Sequence, residues 1–110
     1  MAGSFPVDID VHTFHDMREK GENLWILDVR QPWETDICAF EDGIRLPLAS
    51  LPEGVDRIPR DRAVVVVCHH GIRSKHAVSW LRANGFDNAI NLSGGIDAWA
   101  RQMDPTMATY

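Results

Sequence analysis

Apolar positions in this chain gather into short blocks of two kinds, and the kinds alternate. Leu24-Trp25-Ile26-Leu27 and Val64-Val65-Val66-Val67 are unbroken apolar runs. Runs of that length predict strands buried on both faces, as in a parallel sheet. The first strand is expected over residues 24–30, ending in charge, and the second over 64–67. Residues 89–92 predict a shorter strand. Residues 7–11 alternate apolar and acidic side chains and predict another. Between these blocks the period lengthens. Residues 11–20 carry Phe14 and Met17 on one helical face, with Asp10 placed to cap the helix and Gly21 to stop it. Ala77, Val78 and Leu81 mark a helix over about 74–84, stopped by Gly85. A last helix is expected over 96–102, turning Trp99 inward.

Elsewhere the pattern is weaker. Pro32 opens a turn or short helix containing Trp33 and Glu34. Residues 36–51 are the least regular, with a short strand expected at 44–48, interrupted by Pro47. Residues 51–58 read as a loop with a helical turn, 59–62 as a turn, and 104–110 as irregular. His12 and His15 read as solvated. Strands alternating with helices predict an α/β fold with a mainly parallel sheet and right-handed crossovers. The 110 residues suffice for a single domain, 1–110, with one core.

The valine run ends in the chain's main chemical candidate. Cys68 sits at the carboxyl end of the strand, a polar loop of His69, His70, Gly71, Ile72 and Arg73 follows, and a helix begins near Ser74. In open α/β sheets that end of the strands binds ligands. The amino end of a helix offers N–H groups without intrahelical acceptors, so the corner favours an anion or a thiolate. The helix dipole alone, about 0.3–1 kcal/mol, is too small to hold a thiolate. Direct N–H donors or Arg73 must therefore be aimed at the sulfur. Gly71 lets the loop curl and turn N–H groups inward. The competing role for Cys68 is inert packing, but the polar loop argues against a closed interior.

Composition narrows the classes. The net charge is −5 with no basic run, so nucleic acid is not an expected partner. No apolar run approaches the roughly 20 residues of a membrane helix, and residues 1–6 lack signal-peptide features, so a cytoplasmic location is expected. Two cysteines suggest no disulfide framework, and no histidine spacing matches a zinc motif, so no metal or cofactor is expected.

Three segments resemble the rhodanese family. Leu27-Asp28-Val29-Arg30 with Pro32 and Glu34 resembles its "DVR-x-P-x-E" signature, and residues 68–74 its active-site loop. Gly85-Phe86 and then residues 91–99 resemble its closing "GF…NL-x-GG-I-x-AW" segment. The resemblance covers about 7–104 and leaves 105–110 as an irregular tail. It implies an open, mainly parallel five-stranded sheet with helices on both faces. It implies a sulfurtransferase in which the Cys68 thiolate takes the outer sulfur of thiosulfate and passes it to cyanide or a thiol. His69, His70, Gly71, Ile72 and Arg73 would then hold the substrate, Arg73 binding the sulfonate or else bonding Asp28 or its own loop. Asp28, Arg30 and Ser74 would support the loop, and Gly94 and Gly95 would allow close backbone approach. Where many members carry "GHI-x-G", this chain has residues 38–43 without the histidine. Cys38 is read as a packing thiol, with a resolving role as the alternative.

Three rivals stand beside that reading. Cysteine phosphatases use a similar corner, but with a loop longer by one residue than the four between Cys68 and Arg73. A carrier module, with a protein as sulfur donor or acceptor, would need the same loop. A silent regulatory domain would not need Cys68, Gly71 and Arg73 together.

Overall fold

The computed structural model of the chain describes residues 5–110. Its strands are β1 (Asp8–Ile9), β2 (Leu24–Asp28), β3 (Gly43–Arg45), β4 (Ala63–Val67) and β5 (Ala89–Leu92). Its helices are α1 (Val11–Glu19), α2 (Pro32–Ile37), α3 (Leu51–Gly54), α4 (Ile72–Ala83) and α5 (Gly95–Gln102). The strands form one sheet in the order β1-β5-β4-β2-β3, with every pairing parallel.

β4 is central because its sequence has no polar face to offer. Val64 and Val66 pack on one side with Leu27, Leu51, Ala77, Val78 and Leu81. Val65 and Val67 pack on the other with Ile26, Ile90, Phe14, Ile96 and Trp99. Helices α3 and α4 thus cover one face, and α1 and α5 the other. All four valines are fully buried; each contributes about 1.5–3 kcal/mol. Phe14 meets Phe40 and Trp99 edge-on, at centroid distances of 5.6 and 5.4 Å, an arrangement that aromatic quadrupoles favour.

Several boundaries differ from the sequence expectation. β1 is confined to Asp8–Ile9, because Val7 is exposed and Val11 already belongs to α1. The α1 cap is as expected: the Thr13 N–H donates to Asp10 Oδ1 at 2.8 Å. β2 stops at Asp28, and the charged end is not solvated, since Arg30 is 1% exposed. β3 lies at Gly43–Arg45 rather than 44–48, because Pro47 begins a 3-10 turn. α4 starts at Ile72, two residues before Ser74, so Ile72 and Arg73 belong to its first turn rather than to the loop. Among the described residues, no helix is long and apolar enough to cross a membrane.

The register positions the site. Asp28 pairs with Val67 across β2 and β4, and the Val29 N–H continues to the Val67 carbonyl at 3.1 Å. Arg30 and Cys68 therefore leave adjacent strands at nearly the same height, at the carboxyl edge of the sheet.

Candidate active site

Cys68 is the first residue beyond β4 and is 1% exposed. Gly71 is the N-cap of α4, at φ +94°. Its N–H donates to Cys68 Sγ at 3.1 Å, which sets the sulfur over the amino end of that helix. The thiol donates in turn to Ser74 Oγ at 3.3 Å, and Ser74 donates to Asn91 Oδ1. The Asn91 amide donates to the Gly71 carbonyl and to Asp8 Oδ1. A polar chain thus runs from the sulfur through α4 to β5 and β1.

The loop backbone is gripped by α5. The Ile96 and Asp97 N–H groups donate to the carbonyls of Cys68 and His69, at 2.9 and 3.1 Å. Gly95 makes this possible. It sits at φ +64°, and a Cβ there would lie 2.3 Å from the His69 carbonyl oxygen. Both the left-handed backbone and the close approach need glycine.

Arg73 does not bond Asp28 or its own loop. It pairs with Glu34 of α2 through Nη1–Oε1 at 2.6 Å and Nη2–Oε2 at 2.7 Å. The Arg73 side chain is 37% exposed and that of Glu34 3%. Asp28 belongs to Arg30 instead, with Nε–Oδ1 at 2.9 Å and Nη2–Oδ2 at 2.6 Å. Arg30 also donates to the carbonyls of Cys38 and Glu34. Burial opposes the charge on Arg30, yet its bonds to Asp28 and Tyr110 raise its pKa. Cys38 is half-buried and free, its sulfur 3.9 Å from Arg30 Nη1.

Tyr110 enters this cluster from the tail. Its hydroxyl donates to Glu34 Oε2 at 2.7 Å and accepts from Arg30 at 3.2 Å. Its ring stacks on His69 at 3.9 Å, and His69 stacks on His70 at the same spacing. Burial, then the charge of His70, pushes the His69 pKa down, so the stacked ring is neutral near pH 7. His69, His70 and Asp97 each bring a ligand atom within 4.8 Å of the others. The two imidazoles are nearly parallel, only 23° apart. His69 Nε2 and His70 Nε2 lie 3.9 and 3.7 Å from the Asp97 carboxylate oxygens.

Glu34, Asn91 and Tyr110 are the members that sequence reasoning missed. Glu34 was visible as part of a motif, and Asn91 likewise, but neither carried a role. Nothing in the local pattern around Tyr110 marks it.

Hydrogen bonds from Arg73, outweighing the effect of burial, hold the Glu34 carboxyl at about 2, against an ordinary 4.5. A folded-state value below the unfolded one stabilises above the unfolded value and stops doing so as pH falls through the folded one. Wild type should therefore melt on the order of 10 °C above Glu34→Gln at pH 7. The gap should persist down to about pH 4.5 and close as pH falls toward 2. Thermal unfolding of both proteins across that range is the check; a gap independent of pH would mean that the ionised carboxylate does not stabilise the fold.

The sequence profile described as Rhodanese-like domain matches residues 10–102. The chain is 35% identical to a protein named sulfurtransferase from Allochromatium vinosum, over 92% of this chain and 94% of that one. It is 39% identical to the probable adenylyltransferase/sulfurtransferase MoeZ of Mycobacterium tuberculosis, over 86% of this chain. It spans about a quarter of that protein, 25% of its length. Among solved structures, a rhodanese-like domain protein from Staphylococcus aureus superposes with a TM-score of 0.81 at 25% identity, covering 94% of this chain and 97% of that one. With the profile running from residue 10 to residue 102 and a relative of similar length alike over nearly all of it, the chain belongs to the rhodanese-like domain family.

Proposed function

We propose that the chain is a sulfurtransferase with Cys68 as its nucleophile and thiosulfate as a competent donor. The thiolate attacks the outer sulfur of thiosulfate, a new S–S bond forms, and the original S–S bond breaks with its electron pair leaving on sulfite. The resulting persulfide is attacked at its outer sulfur by cyanide or a thiol, and the Cys68 thiolate is regenerated. The observation that carries this reading is the Gly71 N–H at 3.1 Å from Sγ, at the start of α4. N–H groups fixed before reaction stabilise developing charge without reorganising. Once the thiol proton is gone, Ser74 can turn its hydroxyl from Asn91 to the sulfur.

The loop and the first turn of α4 divide the remaining work. His69, His70 and Ile72 line the mouth, and Gly71 supplies the backbone donor. Arg73 spends one N–H of each Nη on Glu34 and keeps the others for the sulfonate. Asp28 and Arg30 brace the β2 end, and Ser74 braces the sulfur. A reducing, cytoplasmic compartment, in which Cys38 and Cys68 stay free, suits this chemistry.

The experiment is turnover of thiosulfate beside an aryl phosphate, with the mass of the protein read after thiosulfate alone. One added sulfur atom on Cys68 and no phosphate release are expected. Phosphatase activity that vanishes in Cys68→Ser, with no added sulfur, would overturn the reading.

A carrier role is the second reading, favoured by two observations. In MoeZ the matching segment is a quarter of a larger protein that also bears the name adenylyltransferase. Ile72 and Trp33, 68% and 61% exposed, give the mouth an apolar rim suited to a protein donor or acceptor. Faster loading from a protein persulfide than from thiosulfate would mark the chain as a carrier.

A further inference from the structure

Cys68 lies at the carboxyl edge of the sheet, where a substrate would enter, yet it is 1% exposed. Two side chains bridge the crevice above β2 and β4, joining α2 to the Cys68 loop. One is Arg73, which reaches from the first turn of α4 to Glu34. The other is Tyr110, which belongs to neither wall. It reaches Glu34 and Arg30 with its hydroxyl and covers the His69 ring with its own, nearly parallel at 12°. Its ring also meets Trp33 edge-on at 5.7 Å. The tail that carries it is held at its start, at Met107 and at Tyr110. At its start, the Met103 and Asp104 N–H groups bond the Trp99 carbonyl, and Asp104 turns the chain through Thr106 and Met107. In its middle it crosses a cavity of about 560 Å³ lined by Cys38, Phe40, Trp99, Asp104, Met107 and Ala108. Met107 packs there against the α1–α5 side of the core, Ala108 and Thr109 are exposed, and the chain is fastened again at Tyr110.

We propose that residues 104–110 form a strap over the mouth of the Cys68 loop, and that Tyr110 is its latch and the residue that sets which reagents reach the thiol by size. With the latch closed, small donors have limited access and bulky ones need it open. Desolvation pushes the Tyr110 hydroxyl up to about 12, so it remains a donor to Glu34 throughout the neutral range. The use of the strap rests on sulfur transfer at Cys68. Its existence can be read from thiol alkylation, which does not, so the two ideas can fail separately.

The experiment measures alkylation of Cys68 in a Cys38→Ser background, which leaves one thiol. Iodoacetamide serves as the small reagent and a biotinylated maleimide as the bulky one, with mass spectrometry as the readout. Tyr110→Phe keeps the stack on His69 but loses both hydrogen bonds to charged partners. It should raise the maleimide rate about tenfold or more, because those bonds set the open population. Tyr110→Ala loses the stack as well and should react faster still. The ratio of iodoacetamide to maleimide rates should fall from wild type through Phe to Ala. Equal rates in all three proteins, each folded by circular dichroism, would overturn the strap. So would a rise that is the same for both reagents, since that reports general loosening rather than a size filter. A parallel readout is kcat/KM for glutathione persulfide relative to thiosulfate, which should rise in Tyr110→Ala; an unchanged ratio would deny Tyr110 a part in donor choice.

Discussion

Cys68→Ser is expected to abolish sulfur transfer while leaving the protein folded. The loss should be complete within detection, because a serine hydroxyl neither attacks a sulfane sulfur at neutral pH nor stores one as a persulfide. The fold should stand because the position already offers what a hydroxyl needs. The Gly71 N–H can donate to it, and Ser74 Oγ can accept from it or turn to donate. The main change is a shorter bond to the reactive atom, which loosens both contacts slightly. Cys38→Ser is the paired control. Cys38 packs beside the α1–α5 face of the core and bonds through its carbonyl to Arg30. Its backbone role survives substitution, so most activity should remain. Thiosulfate kinetics and persulfide mass for both variants are the measurement. Full activity in Cys68→Ser would end the proposed function; a folded but inactive Cys38→Ser would make Cys38 a second participant.

The part of this site legible in the sequence is the part built from contiguous residues. Four valines have no polar side, so β4 had to be central, and the next residue had to emerge at the sheet edge. Gly71 and Ser74 follow at spacings that only a strand–loop–helix corner explains. The same locality accounts for the error at the start of α4. Ile72 is 68% exposed and Arg73 reaches away toward Glu34, so neither shows in a periodicity that counts buried residues. The helix there is set by Gly71 at φ +94°, which turns the chain before any apolar face begins.

What was not legible depends on pairs far apart in sequence. Arg73 and Glu34 are brought together only because β2 and β4 are neighbours in register. Before the sheet order is known, Asp28 is as good a partner for Arg73 as Glu34 is. Tyr110 is the extreme case. The pattern of residues 104–110 correctly predicts no regular element, and the mistake would be to equate that with no structure. An aromatic ring and one hydroxyl are enough to fasten a segment that forms no ladder or helix, and such attachments leave no period to detect.

Arg30 illustrates the same limit with a larger energy, and its removal should be the most destabilising change at the site. A charged residue ending a strand ordinarily reaches solvent, but the Arg30 side chain is 0% exposed and that of Asp28 3%. Arg30→Met would keep roughly the volume and strand the Asp28 carboxylate inside the protein. Breaking a buried pair from one side costs about 3–5 kcal/mol, or roughly 15–30 °C in melting temperature for a chain of this size. The carbonyls of Cys38 and Glu34 would lose their donor at the same time, so α2 and the segment after it should loosen first. The double variant Asp28→Asn with Arg30→Met removes the stranded charge and should recover part of the loss, leaving the carbonyl donors as the remainder. Arg30→Lys retains the charge but cannot serve Asp28 and both carbonyls from one ammonium, so it should fall between Met and wild type. Urea unfolding of these variants separates the contributions. A loss below about 1 kcal/mol in Arg30→Met, in the range of an exposed pair, would mean that Arg30 and Asp28 are solvated and do not brace the loop. The full loss, with recovery in the double variant, would make the Asp28–Arg30 pair the anchor that holds α2, and with it Glu34, in reach of both Arg73 and Tyr110.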